Sequence, residues 1–166
     1  MLSESARMTS SAELRFRVQA PNSTGRATAI IALDAASETV VRRLSTLPWN
    51  HATFLKALDD PPGAEPAGGE WVADLAGQPS RVQDEVNASD QVILVAAAGG
   101  RARAAAMIGR ACSLKRVTTT ALIVGASAAS DSDLSKTLAQ LRPWSLMVVI
   151  ANTDDYVADM MAALRV

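Results

Sequence analysis

The sequence has little of the chemistry on which many metal and catalytic sites depend. It contains one cysteine, Cys112, and one histidine, His51, among 166 residues. A single cysteine cannot form an intramolecular disulfide, and one histidine excludes a multi-histidine metal site, so we predict no bound metal. No serine lies in a nucleophile-elbow sequence, and without a second histidine the pattern argues against a hydrolase triad.

Strong charge and long apolar segments are also missing. The formal net charge is −1, which gives no general reason to expect nucleic acid or an anionic membrane as a partner. No apolar run approaches the roughly 20 residues that cross a bilayer. The N-terminal stretch MLSESARMTSSAELRF lacks the apolar core of a secretory signal. The expected location is the cytoplasm.

The chain does have enough apolar residues for one folded domain. Hydrophobic residues make up 49% of the sequence, which suffices for a core in a chain of this length. Residues 1–26 are expected to form a flexible segment, with a possible edge strand where Leu14, Phe16 and Val18 alternate with polar residues. Residues 27–166 are expected to form a single domain.

The clearest pattern is a strand, a glycine turn, a helix and a second strand in the middle of the chain. Gln91 to Ala98 is an almost continuous apolar run, which is typical of a strand buried on both faces. Gly99 and Gly100 permit a tight turn, and an alanine-rich helical segment follows. Thr118 to Gly125 is again apolar and β-branched. The glycine turn is therefore expected at the carboxyl end of a parallel strand, where open α/β sheets bind ligands.

Strands and amphipathic helices alternate along the whole domain. The predicted strands cover residues 28–33, 53–58, 71–75, 91–98, 118–125 and 146–151. We therefore predict an α/β fold, a three-layer Rossmann-like sandwich with a mainly parallel six-stranded sheet in the order 3-2-1-4-5-6. The predicted N-caps of its helices include Ser37, Ser80, Ser130 and Thr153.

Gly99, Gly100, Arg101 and Arg103 are the main candidates for a ligand site. Free backbone amides at a helix start attract anions, and the two arginines would strengthen that attraction. Their position runs against the helix dipole, which favours a functional interpretation. A structural turn followed by solvated arginines explains the same residues about equally well. The predicted ligand is a small anion.

Three polar residues at other strand ends are further candidates. Asp34 follows the first predicted strand, where a carboxylate can serve as an acid, a base or a metal ligand but more often caps the next helix. Ser37 lies in the same loop, and Asn152 follows the last strand. Cys112 falls on an apolar helical face, which indicates a core residue rather than a nucleophile.

From about residue 27 onward, the chain resembles the nucleotide-binding half of the FtsZ and tubulin family of polymerising GTPases. TAIIALDAASETVVRRL is similar to the first strand, glycine-rich loop and helix of that family. SDQVILVAAAGGRARAAAMIGRA resembles its strand, signature loop and phosphate-holding helix, and LAQLRPWSLMVVIANTDDYV resembles its strand ending in asparagine and aspartate. The resemblance implies an FtsZ-like fold and a GTP or GDP ligand, with Asn152 facing the base or ribose.

The chain departs from the family where the nucleotide would be held. The first loop of the family is rich in glycine, whereas this chain has Asp34 to Glu38, whose two carboxylates repel a phosphate. Only Gly99 and Gly100 remain of the signature loop, and the sequence ends before the second domain and its catalytic acidic loop. We therefore expect a degenerate FtsZ-like domain that does not hydrolyse GTP and acts through a protein partner or its own copies.

Two alternatives remain open. One is a nucleotide-binding module that keeps weak affinity for GTP or GDP through Gly99, Gly100, Arg101 and Asn152. The other is a Rossmann-like enzyme that acts on a small phosphorylated metabolite. We also expect Arg101 to pair with a carboxylate of the first loop, which would leave nucleotide binding with a dissociation constant of about 1 mM at best.

Overall fold

A seven-stranded sheet forms the middle of the computed structural model, which describes residues 25–58 and 71–166. Its strands are β1 (Thr28–Ala32), β2 (Ala52–Ala57), β3 (Trp71–Asp74), β4 (Pro79–Arg81), β5 (Gln91–Ala97), β6 (Thr118–Val124) and β7 (Met147–Ile150). Their order is β4-β3-β2-β1-β5-β6-β7. The possible edge strand at Leu14, Phe16 and Val18 lies outside the described residues.

The predicted order of the six strands is confirmed, and one strand is added. Strands β2, β1, β5, β6 and β7 pair parallel, whereas β3 pairs antiparallel with both β2 and β4. The additional strand β4 is three residues long, with the sequence PSR. It has no apolar alternation and contains a proline, which is tolerated at a sheet edge, so no strand pattern is visible in the sequence.

Five α-helices cover the two faces of the sheet in the described part of the chain. They are α1 (Ala35–Leu44), α2 (Val82–Asn87), α3 (Ala104–Lys115), α4 (Asp131–Leu141) and α5 (Asp154–Ala163). A 3₁₀ turn, Arg142–Trp144, follows α4 because Pro143 cannot continue the helix. The result is an α/β sandwich of three layers, as predicted, with a sheet that is mostly parallel.

Alternate residues of the central strands supply two separate cores. Ile31, Leu94 and Ile123 point to one face, where α2, α3 and α4 pack. Ile30 and Ile93 point to the other face, where α1 and α5 pack. Successive side chains of a strand point to opposite faces, so strands covered on both sides must be apolar throughout. All residues of β1 and the first six of β5 are buried accordingly.

The helix caps differ in part from the prediction. Ser130 and Thr153 cap α4 and α5 as expected, by accepting a hydrogen bond from the backbone amide three residues on. Ser37 is not an N-cap, because α1 begins directly after β1 and Asp34 caps it. Ser80 is not an N-cap either, because it pairs with Val72 within β4. The predicted cap Ser37 lies three residues inside the helix start, whereas Ser80 lies one residue before the actual N-cap, Arg81.

Candidate functional site

The connections from the sheet diverge between β1 and β5. Strand β1 leads through α1 to β2 on one side, and β5 leads through α3 to β6 on the other. Open α/β sheets bind ligands in the crevice at such a switch point, outside the carboxyl ends of the strands. Strands β1 and β5 pair from Thr28–Gln91 to Ala32–Val95, which brings Asp34 and the Gly99–Gly100 turn to the same end of the sheet.

The Asp34 carboxylate links the two sides of the crevice at the switch point. Its Oδ1 accepts a hydrogen bond of 2.8 Å from the amide of Ser37, and its Oδ2 accepts one of 2.9 Å from the amide of Ala97. A Cβ added at Gly100 would lie only 2.5 Å from Oδ2. Asp34 is therefore an internal anion that joins the loop after β1 to the end of β5, and Gly100 makes room for it.

Ser37 completes a capping box with Asp34. Its hydroxyl donates to the Asp34 carbonyl at 2.9 Å and accepts from the Asp34 amide at 3.2 Å. The side chain is fully buried. The backbone amide and the carbonyl of Asp34 are thus both hydrogen-bonded within the protein, and Ser37 has a structural role here.

Glu38, the second carboxylate of this loop, is held by two cations. It lies 2.6 Å from Arg42 and 3.3 Å from Lys56. Burial raises the pKa of Glu38, but the hydrogen bonds from Arg42 and Lys56 outweigh it and hold the pKa below its ordinary value of 4.5. A cleft of about 270 Å³ beside Asp34 has Glu38 and Lys56 in its wall.

The backbone amides of the glycine turn are also largely satisfied from within. Gly99 donates to the Thr137 hydroxyl at 2.9 Å, and Gly100 donates to the carbonyl of Ala97 at 2.8 Å. Ala102 donates to Oε1 of Gln140 at 2.9 Å. Two side chains of α4 therefore hold in place the glycine turn that was a candidate ligand site in the sequence.

Arg101 and Arg103 are exposed and form no ion pair with any residue of the ranges 25–58 and 71–166. The expected pairing of Arg101 with Asp34 or Glu38 is wrong. Asp34 instead accepts backbone amides, and Glu38 binds Arg42 and Lys56, which are nearer on its own helix and on β2. The two arginines are consequently available at the start of α3.

A cleft of about 570 Å³ lies between the glycine turn, the start of α3 and the exposed side of α4. Its wall includes Gly99, Gly100, Arg101, Arg103, Lys136 and Trp144. None of its ten lining residues is acidic. Its volume falls within the range of small-molecule sites, about 300–1,000 Å³.

Sequence reasoning missed Lys136, Gln140 and Trp144 as neighbours of the glycine turn. Lys136 and Gln140 are four residues apart on one side of α4, a spacing that is visible in the sequence. Which element this side meets depends on the packing of α3 against α4. Trp144 approaches α3 at Gly109, where an added Cβ would lie 2.5 Å from the Trp144 Cβ.

Asn152 does not lie beside the glycine turn. It is exposed after β7, and β6 lies between β7 and β5. At a strand spacing of about 4.8 Å, the ends of β5 and β7 are roughly 10 Å apart. The structure thus brings together Asp34, Ser37, Gly99 and Gly100 at the crevice, and it leaves Asn152 further along the sheet.

Cys112 belongs to the core, as predicted. It is 1% exposed, and burial raises the pKa of its thiol. Across residues 25–58 and 71–166, no group of three or more histidine, cysteine, aspartate or glutamate side chains is arranged to hold a metal ion. No helix in the same ranges is long and apolar enough to cross a membrane.

The fold and the crevice define a Rossmann-like α/β domain with an internally bridged switch point. Comparison with known proteins adds no closer assignment, because no protein-family model and no curated protein matches the chain.

Proposed function

We propose that the chain is a degenerate FtsZ-like domain that does not hydrolyse GTP and acts by binding a partner or its own copies. The observation that carries the proposal is the Asp34 carboxylate, which bonds the amides of Ser37 and Ala97 across the switch point. Those amides belong to the loop and strand end that the resemblance assigns to nucleotide binding. A phosphate would have to displace an anion that is already part of the protein.

Charge in the first loop supports the same proposal. Asp34 and Glu38 place two carboxylates in this loop, and a phosphate oxygen about 6 Å from one carboxylate is repelled by roughly 3 kcal/mol at an effective dielectric near 20. Arg42 and Lys56 offset the charge of Glu38, but the repulsion from Asp34 alone exceeds what one helix N-terminus contributes, typically up to about 1 kcal/mol. GTP is therefore expected to bind this crevice weakly, with a dissociation constant of about 1 mM or higher.

The β7 edge supports the second half of the proposal. Within the described residues, β7 pairs only with β6, so its other side presents unpaired backbone groups. Leu146 is 84% exposed and Ile150 is 40% exposed. An exposed apolar edge strand favours pairing with another chain. No proline and no charged residue interrupts β7 itself, whose sequence is MVVI.

GTP turnover tests the catalytic half. Phosphate release would be measured with GTP and magnesium over a range of protein concentrations that allows self-association. We expect no release above the no-protein background. Release that disappears in Asn152→Ala would contradict the proposal, because it would require a nucleotide site at the strand ends. Release unaffected by that change would indicate a contaminating enzyme.

Sedimentation velocity tests association through the β7 edge. We expect a concentration-dependent assembly that Ile150→Lys abolishes, since a charge on the edge prevents pairing. Leu114→Lys is the matched control, because Leu114 is 80% exposed on α3, away from β7. An assembly that survives Ile150→Lys, or that Leu114→Lys disrupts equally, would place the contact elsewhere. If the protein is a monomer at every concentration, association with its own copies is excluded and the proposed function must involve a different protein.

A further inference from the structure

We propose that the cleft between α3 and α4 binds a small phosphorylated molecule, with the phosphate between Arg101, Arg103 and Lys136 and an apolar part against Trp144. This site is separate from the crevice between β1 and β5. It is independent of the proposed function, because a domain with a closed switch point can still bind a ligand on another surface.

The cations in this cleft carry the inference. Arg101, Arg103 and Lys136 line it together. The two arginines form no ion pair with any part of the chain that the structure describes. Lys136 makes only a long contact of 3.5 Å, with the exposed Asp133. Positive charges that line one cleft without a carboxylate among them repel one another. A bound anion would offset this repulsion.

The start of α3 adds to the same positive field. The helix has Arg103 at its N-cap position, and this side chain makes no capping hydrogen bond, although the Ala105 amide donates to the Ala102 carbonyl at 3.0 Å. Of the other four helices in the described ranges, α1, α4 and α5 have a side-chain cap. Helix α2 also begins at an arginine without a side-chain cap, but unlike α3 it has acidic residues in its first turn. An anion in the cleft would face the uncapped terminus of α3, where the helix dipole favours it.

Two carboxylates adjoin the cleft behind its lining residues Gly99 and Gly100, and both have partners within the protein. Asp133 is the closest acidic residue on α4, and it is engaged by Ser130 and Lys136, since Oδ2 accepts from the Ser130 hydroxyl at 2.8 Å. The hydrogen bond from Ser130 and the charge of Lys136 hold the pKa of Asp133 below its ordinary value. The other carboxylate, Asp34, lies against Gly100, where its Oδ2 accepts a hydrogen bond of 2.9 Å from the amide of Ala97.

The remaining wall indicates what the rest of the ligand is like. It contains Ala102, Ala106 and Ala139, together with the half-buried ring of Trp144. The Arg110 guanidinium lies 5.6 Å from the centroid of this ring, which helps to hold it in place. Small side chains leave space, and an indole offers a flat apolar surface. A molecule with an aromatic or other flat group beside its phosphate therefore suits the cleft better than free phosphate.

Calorimetric titration with phenyl phosphate and with inorganic phosphate tests the proposal on the full chain. We expect phenyl phosphate to bind with a dissociation constant below about 1 mM, and inorganic phosphate to bind more weakly. Arg101→Ala should weaken phenyl phosphate about tenfold or more, since it removes a charge-assisted contact. Trp144→Ala should remove the advantage of phenyl phosphate over inorganic phosphate.

Lys115→Ala is the matched control for charge. Lys115 is exposed at the far end of α3, about 16 Å from its start. It should change the dissociation constant less than about twofold, because a surface charge at that distance is largely screened. A loss in Lys115→Ala equal to that in Arg101→Ala would overturn the proposal, because binding would then follow net charge alone.

Amide chemical shifts of the labelled protein give a second readout, which locates the bound ligand on the structure. Phenyl phosphate should shift the amides of residues 99–106 and 136–144. Shifts concentrated instead at residues 34–37, or at Asn152, would assign the ligand to the switch point and would overturn the proposal. So would the absence of saturable binding up to about 10 mM. Thermal melting of each variant confirms that it is folded before binding is compared.

Discussion

The two sides of the Gly99–Gly100 turn differ in how their charges are used. On the side of β1, the Asp34 carboxylate takes up the amides of Ser37 and Ala97. On the side of α4, Arg101 and Arg103 line an open cleft, with no ion pair to any described residue. The carboxylate of the first region is hydrogen-bonded within the protein, whereas the two arginines of the second region can bind another molecule.

This difference shows that the position of a glycine turn does not by itself locate a ligand. Both regions use the same turn, and the hydrogen-bond partners decide the role of each side. A bridged anion stabilises the fold and excludes a phosphate. Unpaired cations contribute little to stability but attract an anion. Substitutions on the side of β1 should therefore lower the stability of the fold. Substitutions on the side of α4 should lower ligand binding with little effect on stability.

The largest expected effect comes from removing the bridge. Asp34→Ala should lower the free energy of unfolding by about 2–4 kcal/mol, because it removes an N-cap and leaves the Ala97 amide without its acceptor. Urea denaturation measures this change. Asp34→Asn is the control, since its side-chain oxygen can still cap α1, and it should cost less than half as much. Asparagine has only one acceptor oxygen, so it can bond one of the two amides but not both. Equal losses in both variants would show that only the complete bridge to Ser37 and Ala97 stabilises the fold.

The wall of the cleft can be tested at Gly109. Gly109→Ala should lower the free energy of unfolding by about 1 kcal/mol, because the new Cβ would meet the Trp144 Cβ at 2.5 Å. This overpacking outweighs the gain of about 1 kcal/mol that alanine normally brings to a helix. Ser113→Ala, on the exposed side of α3, should be neutral or slightly stabilising in thermal denaturation. A Gly109→Ala variant more stable than the wild type would mean that Trp144 moves freely.

A smaller effect should appear at Glu38 and depend on pH. Its pKa is lowered in the folded state, so the stability it contributes is present above its ordinary value of 4.5 and is lost as pH falls through the folded pKa. Glu38→Gln should therefore be less stable than the wild type at neutral pH, by under about 1 kcal/mol. The difference should shrink as the pH falls below 4.5 and the Glu38 carboxylate becomes protonated. Denaturation at several pH values would contradict this if the gap widened in acid.

The smallest change in stability should come from substitutions on the side of the glycine turn that faces α4. Arg101→Ala and Arg103→Ala should each leave the free energy of unfolding within about 0.5 kcal/mol of the wild type, because the side chains are exposed and unpaired in the described structure. Arg42→Ala, which breaks a 2.6 Å pair with Glu38, is the comparison. A larger loss for Arg101→Ala than for Arg42→Ala would mean that Arg101 has a structural partner.

The fold could largely be predicted from the sequence, because strands buried on both faces must be apolar throughout and helices covered on one face must be amphipathic. These rules are local, so they located the strands and the order of six of them. They failed at Pro79–Arg81, where three residues pair at an edge without any apolar signal. They also failed at Ser37, which was predicted to cap α1, whereas the capping role favoured for Asp34 is confirmed because α1 begins directly after β1.

The candidate site was predictable only in part. The sequence by itself determined that Gly99, Gly100, Arg101 and Arg103 follow a buried strand, because the apolar run and its glycine turn are continuous in the chain. Only the tertiary structure decided that Asp34 would bond Ala97, 63 residues away, and that α4 would bring Lys136 to the same turn. Such contacts depend on how layers pack, and a linear pattern contains no distance between residues that the fold brings together.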